Sequence, residues 1–411
     1  MSFRSHVRPF ASALPLLAFR AVGGGMPILL GLLVAHQWGL EELAAFTLAH
    51  ATITIVMVVA DWGATRGLPR NLATLPPGAA AQFLASANGV RVLIVAAVLA
   101  AGIAAAALGF VEMSVAQYLA ILFPICPLFG VTTTAVSERV IVRETVAIAL
   151  AVAGGLVTFA VLGGAALALD LGPHAFVGAF VAGKIVEAAL IARGRWWVLA
   201  VSMSGLRSIA LALWPFSAQA IVAVLYARAA VFTVEHMTTR VELGVFSVAM
   251  GMQSGLLLIP ASIALMHFPE LTRLARADDA RGTRQILVRY AIVSGIGIVL
   301  ALIVLAAIVG PISSALKFPG RYGSFLLAFA AVALLGVFST MASFLMQARG
   351  MEMAAARLSL WTLCLAIVYQ VAALSLWGLW GIVGAVAAAE ITATAIFTIA
   401  LRRPAAGVAG D

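Results

Sequence analysis

The sequence runs to 411 residues, 64% of them hydrophobic and 10% charged, with a formal net charge of +9. Soluble domains carry roughly a quarter charged residues, so a soluble globular protein is excluded. The apolar residues fall in runs of about twenty, the length a helix needs to cross roughly 30 Å of hydrocarbon. A membrane barrel would show short alternating segments, so the runs predict an all-α polytopic membrane protein.

Met1 to Phe10 carries Arg4, His6 and Arg8 ahead of an apolar run, which resembles a signal peptide. The run from Ala13 to Ala35 is longer than a signal-peptide core and has no clean cleavage site, so it is expected to be the first membrane helix. In chain order the apolar runs predict about 12 spans: 13–36, 42–63, 88–110, 115–136, 145–169, 173–193, then 208–234, 242–266, 286–309, 324–346, 356–377 and 379–401.

The two sets of six are related by a shift of 200 positions without a gap. Pro15 answers Pro215, His36 answers His236, Glu42 answers Glu242, Phe46 answers Phe246 and Pro69 answers Pro269. Apolar matches are cheap in membrane segments, whereas His, Glu and Pro in one register are not. The chain reads as an N-terminal six-helix lobe, 1–200, and a C-terminal six-helix lobe, 201–411. An even number of spans per half makes the repeat parallel, with the two lobes expected to flank a central cavity.

Orientation follows from Lys and Arg. With both termini in the cytoplasm, the inner side holds Arg4, Arg8, Arg66, Arg70, Arg139, Arg143, Arg193, Arg195, Arg207, Arg273, Arg276, Arg281, Arg284, Arg289, Arg349, Arg357, Arg402 and Arg403. The outer side holds Arg240, Lys317 and Arg321, and this asymmetry fixes the expected N-in, C-in topology. It also removes nucleic acid as the reason for the basic charge.

Loops are short, the longest polar one being expected inside, from Thr272 to Gln285. Arg195-Trp196-Trp197, between the halves, reads as an interfacial anchor on the inner leaflet. The two cysteines, Cys126 and Cys364, lie in apolar runs without metal-ligand or redox spacing and are expected to be buried and inert. No cofactor motif is present; in particular no P-loop appears, so ATP is not the direct energy source.

The informative residues are the ionisable ones inside apolar runs, each costing about 2.5–3.5 kcal/mol at a helix centre. Glu390 sits at the middle of its run, too deep to reach either surface, and is either an ion-coupling carboxylate or a structural partner for a neighbouring helix. Lys184 is similarly deep with Glu187 at i+3; it makes a local ion pair or lines a cavity and meets an anion. Arg228 snorkels or lines a cavity, in a helix whose apolar surface Tyr226 and Gln219 also break. Arg20 precedes Gly23-Gly24-Gly25 and Pro27, which favour a broken helix or, alternatively, a close packing face. Near the inner interface, Asp61 is read as a cap, a partner of Arg66 or an ion-coupling group, and Arg91 as snorkelling or substrate-binding. His50 either titrates or is hydrogen-bonded within its helix. Cations prevail, so a shared cavity would favour an anion: Arg20, Arg91, Lys184 and Arg228 are the candidate substrate contacts, Glu390 and Asp61 the candidate ion-coupling groups.

The pattern Pro215…Tyr226-Ala-Arg228…Glu242-Leu-Gly244-Val-Phe246-Ser247-Val-Ala249…Pro260…Pro269-Glu270-Leu271, in a chain of two parallel six-helix halves, resembles the polysaccharide (O-antigen type) flippases. These belong to the multidrug/oligosaccharidyl-lipid/polysaccharide exporter superfamily. Asp61-Trp-Gly63…Arg66…Pro69-Arg70-Asn71-Leu72-Ala73 is similar to the matching end of the second helix in that family. The resemblance implies alternating access, with a polyprenyl-diphosphate-linked oligosaccharide as cargo moved from the cytoplasmic to the periplasmic leaflet of a bacterial inner membrane. It implies H+ or Na+ as coupling ion, membrane lipid and a polysaccharide polymerase as partners, and a monomer. Such a chain serves lipopolysaccharide or other polysaccharide biosynthesis. Related lipid II flippases usually have two further helices, and drug/cation antiporters usually rely on acidic cavity residues. A cation-coupled multidrug exporter is the alternative within transport. A membrane polysaccharide polymerase or ligase is the alternative as an enzyme; Asp170, His174 and Glu112, on short outer loops, are too scattered to make a catalytic site, so no enzyme is expected.

Overall fold

The computed structural model describes residues 26, 29–72, 75–141, 144–277, 279–315, 318 and 322–402. Within them the protein is helical, with no strand. The elements are α1 (Leu29–Trp38), α2 (Leu40–Asp61), α3 (Ala64–Leu72), α4 (Pro77–Ala107), α5 (Met113–Leu122), α6 (Ile125–Ile141), α7 (Thr145–Ala168) and α8 (Gly172–Ala192). They continue as α9 (Leu206–Met237), α10 (Arg240–Arg276), α11 (Ala280–Ala315), α12 (Tyr322–Ala331), α13 (Ala333–Ala348), α14 (Glu352–Trp377) and α15 (Gly381–Arg402). Ten stretches among the described residues are long and apolar enough to cross a membrane, and one of them, Glu352–Leu401, contains both α14 and α15. The first expected span is described only from α1 onward.

By contact, the described residues fall into two compact units. One is built on Glu42–Val224; the other joins α1 to the residues from Leu225 on. The boundary lies within α9, between Val224 and Leu225.

In the first unit α7 packs on α8, α8 on α5 and α6, and α6 on α3 and α4. The α7–α8 pair is close because Gly155 and Gly183 face one another: a Cβ on Gly183 would stand 2.6 Å from the Gly155 carbonyl oxygen. Small residues at a contact let membrane helices approach and gain van der Waals contact. In the second unit α14 packs on α15, α15 on α13, and α13 on α10, which also holds α11 and α12. A Cβ on Gly244 of α10 would strike the backbone of Leu40, which helps to seat the α1 end in this unit.

The repeat is visible locally, and so are its departures. Glu242 closes a capping box with Thr239 at the start of α10. Its repeat partner Glu42 follows Gly39, which has no side chain to cap with, and accepts a hydrogen bond from the Tyr118 hydroxyl instead. α10 runs unbroken through Ser262 and Ile263, whereas Trp62 and Gly63 at the matching positions end α2 with φ of +48° and +72°. Gly63 tolerates the left-handed conformation, and a side chain there would collide with the backbone of Phe216 in α9. Trp62 anchors the corner by donating its indole N–H to the Ala210 carbonyl at 3.1 Å. Five residues on, Pro215 lacks the N–H that would bond the Leu211 carbonyl and so loosens this part of α9.

Two expectations are corrected. The polar loop expected from Thr272 to Gln285 shrinks to a turn, because α10 continues to Arg276 and α11 starts at Ala280. Arg, Leu and Gln are good helix formers, and Asp279 caps α11 by accepting from the Gly282 amide at 2.8 Å. Cys126 is buried as expected, but Cys364 is exposed on α14: a lipid-facing helix presents apolar residues outward as well as inward. The link between the halves forms a single 3-10 turn, Trp196–Leu199.

Candidate functional site

The first unit neutralises its deep charges internally. Asp61, the last residue of α2, caps α3 by accepting the Thr65 amide at 2.8 Å. Its other oxygen pairs with Arg91 of α4 at 2.5 Å, with 6% and 7% of the Arg and Asp side chains exposed. Arg91 also donates to the Gly130 carbonyl and the Thr133 hydroxyl at 3.0 Å each, and to the Thr134 hydroxyl, all on α6. It turns inward rather than to the interface. Asn88, one turn earlier, holds the Val198 and Ala200 carbonyls at 2.8 and 2.9 Å, stitching the link between the halves to α4.

Lys184 and Glu187 form the i,i+3 ion pair at 2.8 Å, with 27% and 9% of the side chains exposed. Towards the start of α5 and α8 the unit carries an aromatic cluster. His174 stacks on Tyr118 with ring centroids 4.7 Å apart, and Phe46 lies against both Tyr118 and His50. Among Asp170, His174 and Glu112, only His174 joins it. Glu112 accepts from Ser114, and Asp170 holds a turn with φ of +50°.

The second unit holds its deep charges differently. Glu390 of α15 is 8% exposed and accepts from two hydroxyls, Tyr226 of α9 at 3.0 Å and Ser339 of α13 at 2.5 Å. Among the described residues no cation pairs with it. Seven residues along the Tyr226 face of α9, Thr233 donates to Gln370 of α14 at 3.1 Å. Tyr369 and Thr392 share a 3.4 Å contact between α14 and α15. The result is a polar seam inside an apolar bundle, joining α9, α13, α14 and α15. Beside it, Leu335, Phe338, Ile391 and Thr398 help to line an apolar groove of 420 Å³ between α13 and α15.

Arg228 lies two residues beyond Tyr226 and, on a helix, does not share its face. Its Nε is buried without a hydrogen-bond partner among the described residues. Arg20, with Gly23-Gly24-Gly25 and Pro27, lies outside the described residues. The sequence singled out Tyr226, Arg228 and Glu390 individually; the Tyr226–Glu390 contact spans 164 positions, and only the fold brings it together. Ser339, Gln370 and the Glu42–Tyr118 contact were missed, their one sequence signal being a polar residue in or beside an apolar run. Among the described residues no cluster of His, Cys, Asp or Glu suits a metal ion.

The fold is similar to that of solved membrane transporters at low sequence identity. The lipid II flippase MurJ, in an inward closed conformation, superposes with a TM-score of 0.73 at 13% identity, over 94% of this chain and 87% of that one. An inward-facing multidrug resistance MATE family transporter gives 0.70 at 14% identity, over 93% of both chains. An outward-facing MATE family transporter gives 0.69 at 14% identity, over 96% of both. No protein-family model matches the chain, and no curated protein does.

Proposed function

We propose that this protein is a membrane transporter that moves polyprenyl-diphosphate-linked oligosaccharide units from the cytoplasmic to the periplasmic leaflet by alternating access, with ion coupling at Glu390. The observation that carries the reading is Arg228, whose Nε is buried without an acceptor among the described residues, in a helix long and apolar enough to span a bilayer. A buried charge without a partner is expensive and marks a ligand path. Diphosphate oxygens match a guanidinium in charge and in bidentate geometry. Arg20 is assigned as a second contact from the start of the chain. Lys184 and Arg91 already have carboxylate partners, as does Asp61 its cation, and these three are assigned to the scaffold. The protein would act as a monomer in a bacterial inner membrane, termini inside, supplying units to a polysaccharide polymerase.

The MATE family matches favour multidrug export as the second reading, since they cover as much of the chain as the flippase does. Deleting the gene separates the two. The flippase reading expects lipid-linked oligosaccharide to accumulate in the inner leaflet and surface polysaccharide to be lost. Intact surface polysaccharide with altered drug sensitivity would overturn it in favour of export.

A further inference from the structure

The Ser339 hydroxyl stands within reach of two acceptors. It lies 2.5 Å from one Glu390 carboxylate oxygen, Oε2, and 3.2 Å from the carbonyl of Gly336, one turn back on its own helix. A hydroxyl has one proton to give and lone pairs to accept with. It therefore donates to one of these neighbours at a time, and when it donates to Gly336 its lone pairs can accept from a protonated Glu390. The Tyr226 hydroxyl sits 3.0 Å from the second carboxylate oxygen, Oε1.

These contacts satisfy two charge states without moving a helix. With Glu390 ionised, both hydroxyls donate to it. When a proton from water binds Oε2, Ser339 turns its own proton to the Gly336 carbonyl and accepts the new carboxylic O–H. Tyr226 continues to donate to Oε1. Every polar proton keeps an acceptor in both states, the condition for a buried polar group to be tolerated. The elements packed around Glu390 present Tyr226 from α9 and Ser339 from α13. Arg228, the nearest basic residue along α9, lies on a different face of that helix from Tyr226.

We propose that Ser339 is a positioning residue that holds Glu390 in place whether or not it carries a proton, by rotating its hydroxyl between Glu390 and Gly336. The proposal rests on the reading of Glu390 as the coupling group and narrows the ion to a proton. A metal cation would need several oxygen ligands in place of these two donors.

Infrared difference spectra of the purified full chain in lipid test this without any transported substrate. Lowering the pH should bring up a carboxylic C=O band that Glu390→Gln abolishes. Ser339→Ala should move that band to the higher frequency of a free acid, Ser339→Thr should restore it, and Ser339→Cys, a weaker acceptor, should fall between. A wild-type protein with no such band at any pH, or a band unchanged in Ser339→Ala and Ser339→Cys alike, overturns the proposal. Because no cargo is added, this outcome is separate from whether the protein flips oligosaccharide.

Discussion

Arg91 and Asp61 form a 2.5 Å ion pair inside the first unit, with 6% and 7% of the side chains exposed. The pair is saturated: Asp61 also caps α3, and Arg91 also reaches Gly130 and Thr133 on α6. Removing one partner of such a pair leaves an uncompensated buried charge, at a cost of about 3–5 kcal/mol. Arg91→Met should therefore unfold the protein or sharply lower its melting temperature in detergent, whereas Asp61→Asn with Arg91→Gln should recover part of the loss. Wild-type melting of Arg91→Met would sink the scaffold assignment.

Gly63 owes its identity to two constraints at once, a φ of +72° and the backbone of α9 lying against it. A left-handed conformation alone costs a residue with a Cβ about 1–2 kcal/mol, and the collision adds to it. Gly63→Ala should lower the melting temperature clearly. Gly164→Ala, in the exposed interior of α7 with open space around the added methyl, should leave it unchanged or raise it. Equal effects at the two sites would refute the packing argument.

The two glycines also mark what could be read from the residues. Apolar runs gave the spans, and matched His, Glu and Pro positions gave the repeat, because membrane helices need length and helix ends need particular residues. Lys184–Glu187 was legible because three positions on a helix share a face. Asp61–Arg91 and Tyr226–Glu390 were not, since their partners lie 30 and 164 positions apart and meet only through helix packing. The break at Trp62-Gly63 has its reason outside the repeat, in α9. Helix ends at α10 and α11 outran the apolar runs, because polar residues with good helix propensity carry a helix beyond the hydrocarbon.

Lys184 and Glu187 are unequal partners, 27% against 9% exposed. Lys184→Met strands a buried carboxylate, while Glu187→Gln leaves a lysine whose long stem can carry its charge towards water. Lys184→Met should cost about 3 kcal/mol, near the lower bound for a broken buried pair, and Glu187→Gln about 1 kcal/mol or less. The double neutral variant should be more stable than Lys184→Met. Thermal unfolding of the four proteins in one detergent decides it; a Glu187→Gln loss exceeding that of Lys184→Met would contradict the burial order.

Arg228 gives the sharpest separation of stability from function. Its Nε is buried without a partner, so the folded protein bears the desolvation of that donor. Arg228→Gln should hold or raise the melting temperature. A charge-assisted hydrogen bond to an anion is worth about 1.5–3 kcal/mol, so the same variant should lose about tenfold or more in transport of the lipid-linked oligosaccharide, at 1.4 kcal/mol per tenfold. Arg228→Lys keeps the charge but not the fork, and should fall between. The comparison uses reconstituted vesicles for flipping and melting curves for stability, so that one cannot stand in for the other. If Arg228→Gln flips the cargo at the wild-type rate, the guanidinium is not on the substrate path. If it instead unfolds the protein, the guanidinium is a structural group and the assignment of Arg228 to the anion fails.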